Sequence, residues 1–217
     1  MTLYRVLRFF LAPINRMVWP TKIVNPENMD KVEGALVISN HYTKVDAIIP
    51  TRTFFKKELH VLIKEEAFQS AKIANWFLRK IGGIPIRRGT PDIDAVKAIM
   101  QVLKDNKKLL IYPEGTRNKE GTKDMAEFKE GAARFTIKAK KPIIPMIFFG
   151  SPKVFKKNYL YVGEPFEIDK FYGARTAEAY AEATQYIFDK MVETRKLCDE
   201  YVESRKRKKN KLSSQAN

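Results

Sequence analysis

The chain has 217 residues, 44% of them apolar, enough to bury one substantial core and within the usual range for a single domain. Its formal net charge of +16 suits a polyanionic surface, either nucleic acid or anionic lipid. One cysteine, Cys198, excludes an internal disulfide and fits a reducing compartment, and so few Cys and His residues leave no zinc-ligand cluster.

Residues 1–22 carry Arg5, Arg8, Arg16 and Lys22 and no acid. Leu3, Val6, Leu7, Phe10 and Leu11 recur there at helical spacing, and Pro13 should break the segment into two pieces. The uncharged stretch from Phe9 to Asn15 is far short of the roughly 20 residues that span a bilayer. It also lacks the longer apolar region and cleavage pattern of a signal peptide. Residues 1–20 read either as a helix covering the sheet or as an in-plane membrane anchor, and the basic, acid-free composition favours the anchor.

Short apolar runs at Ala35 to Ser39, Leu59 to Ile63, Leu109 to Tyr112, Ile143 to Phe149 and Tyr159 to Val162 predict buried strands. Between them, Glu66 to Lys80, Asp92 to Lys104 and Met125 to Lys140 predict helices. From about Thr176 an Ala- and Glu-rich stretch predicts a long terminal helix with Tyr180, Ile187, Met191 and Tyr201 near one face. This order implies an α/β fold, a mixed sheet flanked by helices, over residues 21–203. Residues 204–217 hold six bases and no acid, and are expected to fray as a basic flexible tail.

Three motifs carry chemistry. His41 follows a predicted strand, with Asp46 five residues on; an uninterrupted helix would turn the two side chains about 140° apart, so contact requires a turn or loop. If they meet, Asp46 fixes the imidazole and leaves its other nitrogen free to accept a hydroxyl proton. Alone, such a pair is weak: average composition gives about one chance in eight of finding it. Next, Glu114, Gly115, Thr116 and Arg117 follow a predicted strand and Pro113. Gly115 lets backbone amides approach an anion, Thr116 adds a hydroxyl, and Arg117 offers a fork for phosphate. Third, Gly82 and Gly83 lead into an extended segment ending in Arg87 and Arg88, either phosphate ligands or solvated surface.

In this order and at these separations, the three motifs resemble the glycerolipid acyltransferase family, especially the bacterial 1-acyl-glycerol-3-phosphate acyltransferases. The match spans about residues 33–150 and includes Lys64, Phe128 to Ala133 and Pro142 to Pro145. The resemblance implies a catalytic dyad of His41 and Asp46, and an acceptor-binding set of Arg88, Glu114, Gly115, Thr116 and Arg117, with Lys64 as a further phosphate contact. It implies transfer from an acyl-CoA or acyl-ACP thioester to the sn-2 hydroxyl of lysophosphatidic acid, with no cofactor and no metal. Thr43 stands where Ser is usual, Pro85 replaces a common aromatic, and Arg87 replaces a common Asp, adding charge beside the expected phosphate site.

Direct transfer is expected, because no Gly-x-Ser-x-Gly elbow is present and Cys198 lies far from the motifs in sequence. Glycerol 3-phosphate or another lysolipid is the alternative acceptor. A nucleic-acid-binding protein is the rival class, but aromatic RNP pattern, zinc-finger spacing and recognition helix are all missing, so no nucleic acid partner is expected. An anionic membrane surface is, with peripheral, monotopic attachment to the cytoplasmic face.

Overall fold

The computed structural model describes residues 13, 16–43, 46–54, 59–80, 82–87, 89–118 and 125–215. The helical repeat expected between Leu3 and Leu11 lies outside the described residues, as does Arg88.

Among the described residues, seven strands form one mixed sheet: β1 Thr21–Val24, β2 Ala35–Ser39, β3 His60–Lys64, β4 Gly83–Ile86, β5 Lys108–Ile111, β6 Ile143–Phe148 and β7 Asn158–Val162. Their spatial order is β1-β7-β6-β2-β5-β3-β4. The five strands from β6 to β4 are parallel, β7 is antiparallel to β6, and β1 runs parallel to β7. Helices α1 Ile48–Thr53, α2 Glu65–Gln69, α3 Lys72–Lys80, α4 Ile93–Lys104, α5 Gly131–Ala139 and α6 Ala177–Gln215 complete the α/β fold.

The central strands β2, β5 and β6 are buried along their whole length, as apolar runs in a parallel sheet covered on both faces must be. Strand alternation splits the core in two. Leu36, Ile38, Leu109, Ile111, Ile143 and Ile147 pack under α4, α5 and α6, against residues such as Ile99, Leu103, Ala133, Ile187 and Met191. Val37, Leu110, Ile144, Met146 and Phe148 belong to the second cluster, with Met29, Ile49 and Phe54.

Three predicted elements differ. The helix expected from Glu66 to Lys80 is two helices, α2 and α3, parted after Gln69. The Ser70 hydroxyl there donates to the Ala67 carbonyl at 3.0 Å, a side-chain bond that competes with the helical ladder. The helix expected from Met125 begins only at Gly131, because Lys129 N–H, which such a helix would pair with the Met125 carbonyl, donates to the Pro113 carbonyl instead, while Ala126 N–H donates to Glu114. The basic stretch from Ser204, expected to fray, is helical as far as Gln215. Lys and Arg are good helix formers, and no Gly or Pro interrupts them. Short β1 escaped the sequence reading: it is an edge strand whose alternation covers only four residues.

The parallel strands deliver their C-terminal ends to one edge of the sheet, where ligands of open α/β sheets bind. Ile38 pairs with Ile111, so His41 lies level with Glu114 three residues further on. Lys64 pairs with Ile86, at the ends of β3 and β4 on that same edge.

Candidate active site

Beyond Ser39 the Asn40 side chain takes over the ladder's role. Its Nδ2 donates to the Phe148 carbonyl at 3.1 Å, and its Oδ1 accepts the Phe148 amide at 2.9 Å. This buried two-way clip to β6 fixes the point from which His41 leaves the sheet.

The chain then folds back so that His41 Nδ1 meets Asp46 Oδ2 at 3.0 Å. The same oxygen accepts the backbone amides of Tyr42 and Thr43, and Oδ1 accepts the Thr43 hydroxyl at 2.6 Å. The loop required by the five-residue offset is therefore wrapped around the carboxylate. Asp46 is completely buried, and these donors replace the water it has lost. Thr43 supplies the hydroxyl that Ser would supply, so that departure removes no bond. With Asp46 ionised, Nδ1 carries the imidazole proton and Nε2 is the basic nitrogen. The His41 side chain is 15% exposed, so a substrate can reach it.

Three further contacts fix the ring and its backbone. Tyr112 stacks on the imidazole with ring centroids 4.1 Å apart and planes inclined by 21°. Burial, then the nearby Asp46 charge, push the Tyr112 hydroxyl well above the usual phenol range, so it stays neutral. Glu114, expected among the acceptor ligands, braces the backbone: Oε1 accepts His41 N–H at 3.0 Å and Oε2 accepts Ala126 N–H at 3.1 Å. Burial raises its pKa, partly offset by those two amides. Asn118 N–H donates to the His41 carbonyl at 2.7 Å, so both polar groups of the His41 backbone are held by the segment after β5.

Gly115 has φ 69, a left-handed conformation that strains any other residue, while an added Cβ would meet only the flexible end of Lys129, 2.8 Å away at Cε. Thr116 and Arg117 follow it, both exposed. Lys64, also exposed, ends β3, two strands and about 10 Å from β2. Arg87 follows β4, but its charge is not free: Asp92 accepts its amide at 2.9 Å and pairs with its guanidinium at 3.4 Å, and Glu65 lies 3.9 Å away. The extra charge expected from Arg87 is thus matched by carboxylates. Among the described residues, no group of three His, Cys, Asp or Glu comes together as metal ligands.

One participant was missed in the sequence. Arg195 of α6 is 6% exposed and donates through Nη1 to the Tyr42 hydroxyl at 3.2 Å and to the Phe148 carbonyl at 3.4 Å. Burial opposes its charge, but Tyr42 and Asp199 outweigh that and hold its pKa above the usual arginine value. The long helix is thereby tied to the dyad loop. The available signal was positional: Arg195 falls four residues after Met191 and three before Cys198, on the buried stripe of its helix.

Residues 20–148, which contain the dyad and the turn after β5, match the family model described as Acyltransferase. The 1-acyl-sn-glycerol-3-phosphate acyltransferase of Bacillus subtilis (strain 168) is 28% identical over 184 residues, covering 82% of this chain and 90% of that protein. The chloroplastic 1-acyl-sn-glycerol-3-phosphate acyltransferase LPAT1 of Arabidopsis thaliana is 27% identical over 143 residues, 63% of this chain and 39% of that one. The crystal structure of the 1-acyl-sn-glycerophosphate (LPA) acyltransferase PlsC from Thermotoga maritima shares the fold, with a TM-score of 0.59 and 19% identity over 90% of this chain and 95% of that chain.

Proposed function

This chain belongs to the acyltransferase family, and we propose that it transfers a fatty acyl group from an acyl thioester to the sn-2 hydroxyl of 1-acyl-glycerol-3-phosphate, giving phosphatidic acid. The observation that carries the reading is the hydrogen-bonded His41–Asp46 pair, held by a buried carboxylate at the ligand-binding edge of the sheet. The acceptor follows from the activity in the names of the Bacillus subtilis and Arabidopsis thaliana relatives.

His41 Nε2 takes the proton from the acceptor hydroxyl as its oxygen attacks the thioester carbonyl carbon. Asp46 and the stacked Tyr112 hold the imidazolium in place. Collapse of the tetrahedral intermediate breaks the carbon–sulfur bond, and the proton passes from His41 to the departing sulfur. No acyl-enzyme forms. Arg117, Thr116 and the Gly115 turn receive the acceptor phosphate, helped by Lys64 at the end of β3 and, on the sequence resemblance, by Arg88, and so orient the hydroxyl. The donor is an acyl-CoA or acyl-ACP thioester, and the chemistry calls for no cofactor.

The enzyme meets its lipid acceptor by lying on the cytoplasmic face of an anionic membrane, through residues 1–20 and the basic end of α6. Among the described residues, no helix is long and apolar enough to cross a bilayer. The deciding experiment incubates the protein with lysophosphatidate vesicles, glycerol 3-phosphate or other lysolipids, each with acyl-CoA and with acyl-ACP, and identifies the product by mass. Phosphatidate from lysophosphatidate is expected. Turnover of only another acceptor, or of none, overturns the assignment.

A further inference from the structure

The turn between β6 and β7 rises from the same edge as the dyad. Ser39 pairs with Met146, so His41 is level with Phe148, and residues 149–157 extend beyond it. That turn contains Lys153, Lys156 and Lys157 and no acid. At its tip Val154 is 49% and Phe155 71% exposed, and the three lysines beside them are exposed as well. Phe155 N–H donates to the Val18 carbonyl at 2.7 Å, which ties the tip to the segment bearing Met17, itself 66% exposed. Two chain segments thus make one surface, apolar at its tip with a basic collar. Lys206 of α6 lies 4.8 Å from the centre of the Phe149 ring, so the basic end of that helix joins the collar at the base of the turn.

The turn is built rather than slack. Buried Asn158 accepts the Lys153 amide at 2.8 Å and donates to the carbonyls of Lys153 and Lys156 at 3.0 and 2.9 Å. Phe155 is held at φ 52, a left-handed conformation that is unfavourable for a bulky side chain. Keeping a phenyl ring in water on such a backbone does nothing for the core. A ring that strain and exposure both disfavour fits a surface that receives it.

We propose that the β6–β7 turn inserts Val154 and Phe155, with Met17 beside them, into the apolar layer of an anionic lipid surface, while Lys153, Lys156 and Lys157 meet the lipid phosphates. Choosing lipid as the occupant rests on this charge complementarity and on the reading of the chain as a lipid acyltransferase. Insertion turns the His41 edge of the sheet towards the headgroups, where an acceptor hydroxyl lies. It adds the β6–β7 turn to the contact made by residues 1–20, to which Met17 belongs.

The test places a tryptophan probe in the turn with Phe155→Trp and adds phosphatidylglycerol and phosphatidylcholine vesicles whose acyl chains carry bromine. The parent protein corrects for Trp19 and Trp76. Bromine quenching of the added fluorescence is expected; a bound but unquenched probe overturns insertion. In co-sedimentation at high salt, Val154→Ser with Phe155→Ser should weaken partitioning by about tenfold or more, from the apolar area withdrawn. Lys153→Gln, Lys156→Gln and Lys157→Gln together should weaken mainly low-salt binding. Phe155→Gly is the folding control, because it removes the ring and relieves the left-handed strain: it should bind less yet melt no lower than the parent. Loss of binding in the lysine variant with none in the serine variant would mean surface attraction alone and would overturn the proposal. None of these readouts needs turnover, so a protein that inserts but acylates no lysophosphatidate sinks the functional assignment and leaves this one standing.

Discussion

Glu114 holds the backbone of His41: its Oε1 accepts the His41 amide at 3.0 Å, while Oε2 accepts the Ala126 amide at 3.1 Å. One buried carboxylate therefore joins the turn after β5 and the approach to α5 to the end of β2, 73 residues away at His41.

This bracing role predicts that Glu114→Ala lowers kcat while leaving the acceptor KM nearly unchanged. Taking the carboxylate acceptor from two part-buried amides should cost about 1–3 kcal/mol of stability. Glu114→Gln should lie between, since a carboxamide offers one acceptor oxygen and presents an NH₂ to the other amide. Steady-state kinetics and thermal melts check both. A rise in acceptor KM alone would return Glu114 to the substrate.

For the dyad, His41→Ala should remove about 10²- to 10⁴-fold or more of the rate and lower Tm less than Asp46→Asn does, because Asp46 keeps its Tyr42 and Thr43 donors when the stacked ring is removed. Asp46→Asn should lose rate and stability together. Its carboxylate accepts from Tyr42, Thr43 and His41 at once, and an amide cannot accept on both sides. Comparable melting of the two variants would contradict this difference.

Arg117 makes no hydrogen bond or ion pair among the described residues and is exposed beside the Gly115 turn. Arg117→Ala should raise the KM for a phosphate-bearing acceptor about tenfold or more, the scale of a charge-assisted hydrogen bond, and spare donor saturation. Were only the donor KM to move, the guanidinium would belong to the donor's phosphates.

Acid should loosen the corner at the start of α4. Asp92 titrates at about 2 rather than 3.8, held down first by the Arg87 amide and then by the Ala95 amide, with its pairing to the Arg87 side chain adding to both. A depressed carboxyl stabilises the fold above its ordinary value, and that contribution is lost as pH falls from 3.8 towards about 2. The parent Tm should therefore drop more steeply than that of Asp92→Asn across this window. Parallel slopes would remove Asp92 from the acid response.

The sequence alone determined the buried strands, because runs such as Ala35 to Ser39 and Ile143 to Phe148 have nowhere to go but a sheet covered on both faces. It also marked the dyad and the Gly115 turn, since local spacing dictates that the first needs a loop and that the second lacks a Cβ. What touches His41 was decided elsewhere. Glu114, Tyr112 and Asn118 reach it only because β2 and β5, 73 residues apart at His41 and Glu114, pair in one register. Arg195 reaches Tyr42 across 153 residues, because α6 packs on β6. Helix ends were decided there too: Met125 to Lys129 has helical residues but spends its amides on Pro113 and Glu114. Periodicity records how a segment meets the core, whereas hydrogen bonds between segments depend on which strands become neighbours, and that only the assembled sheet fixes.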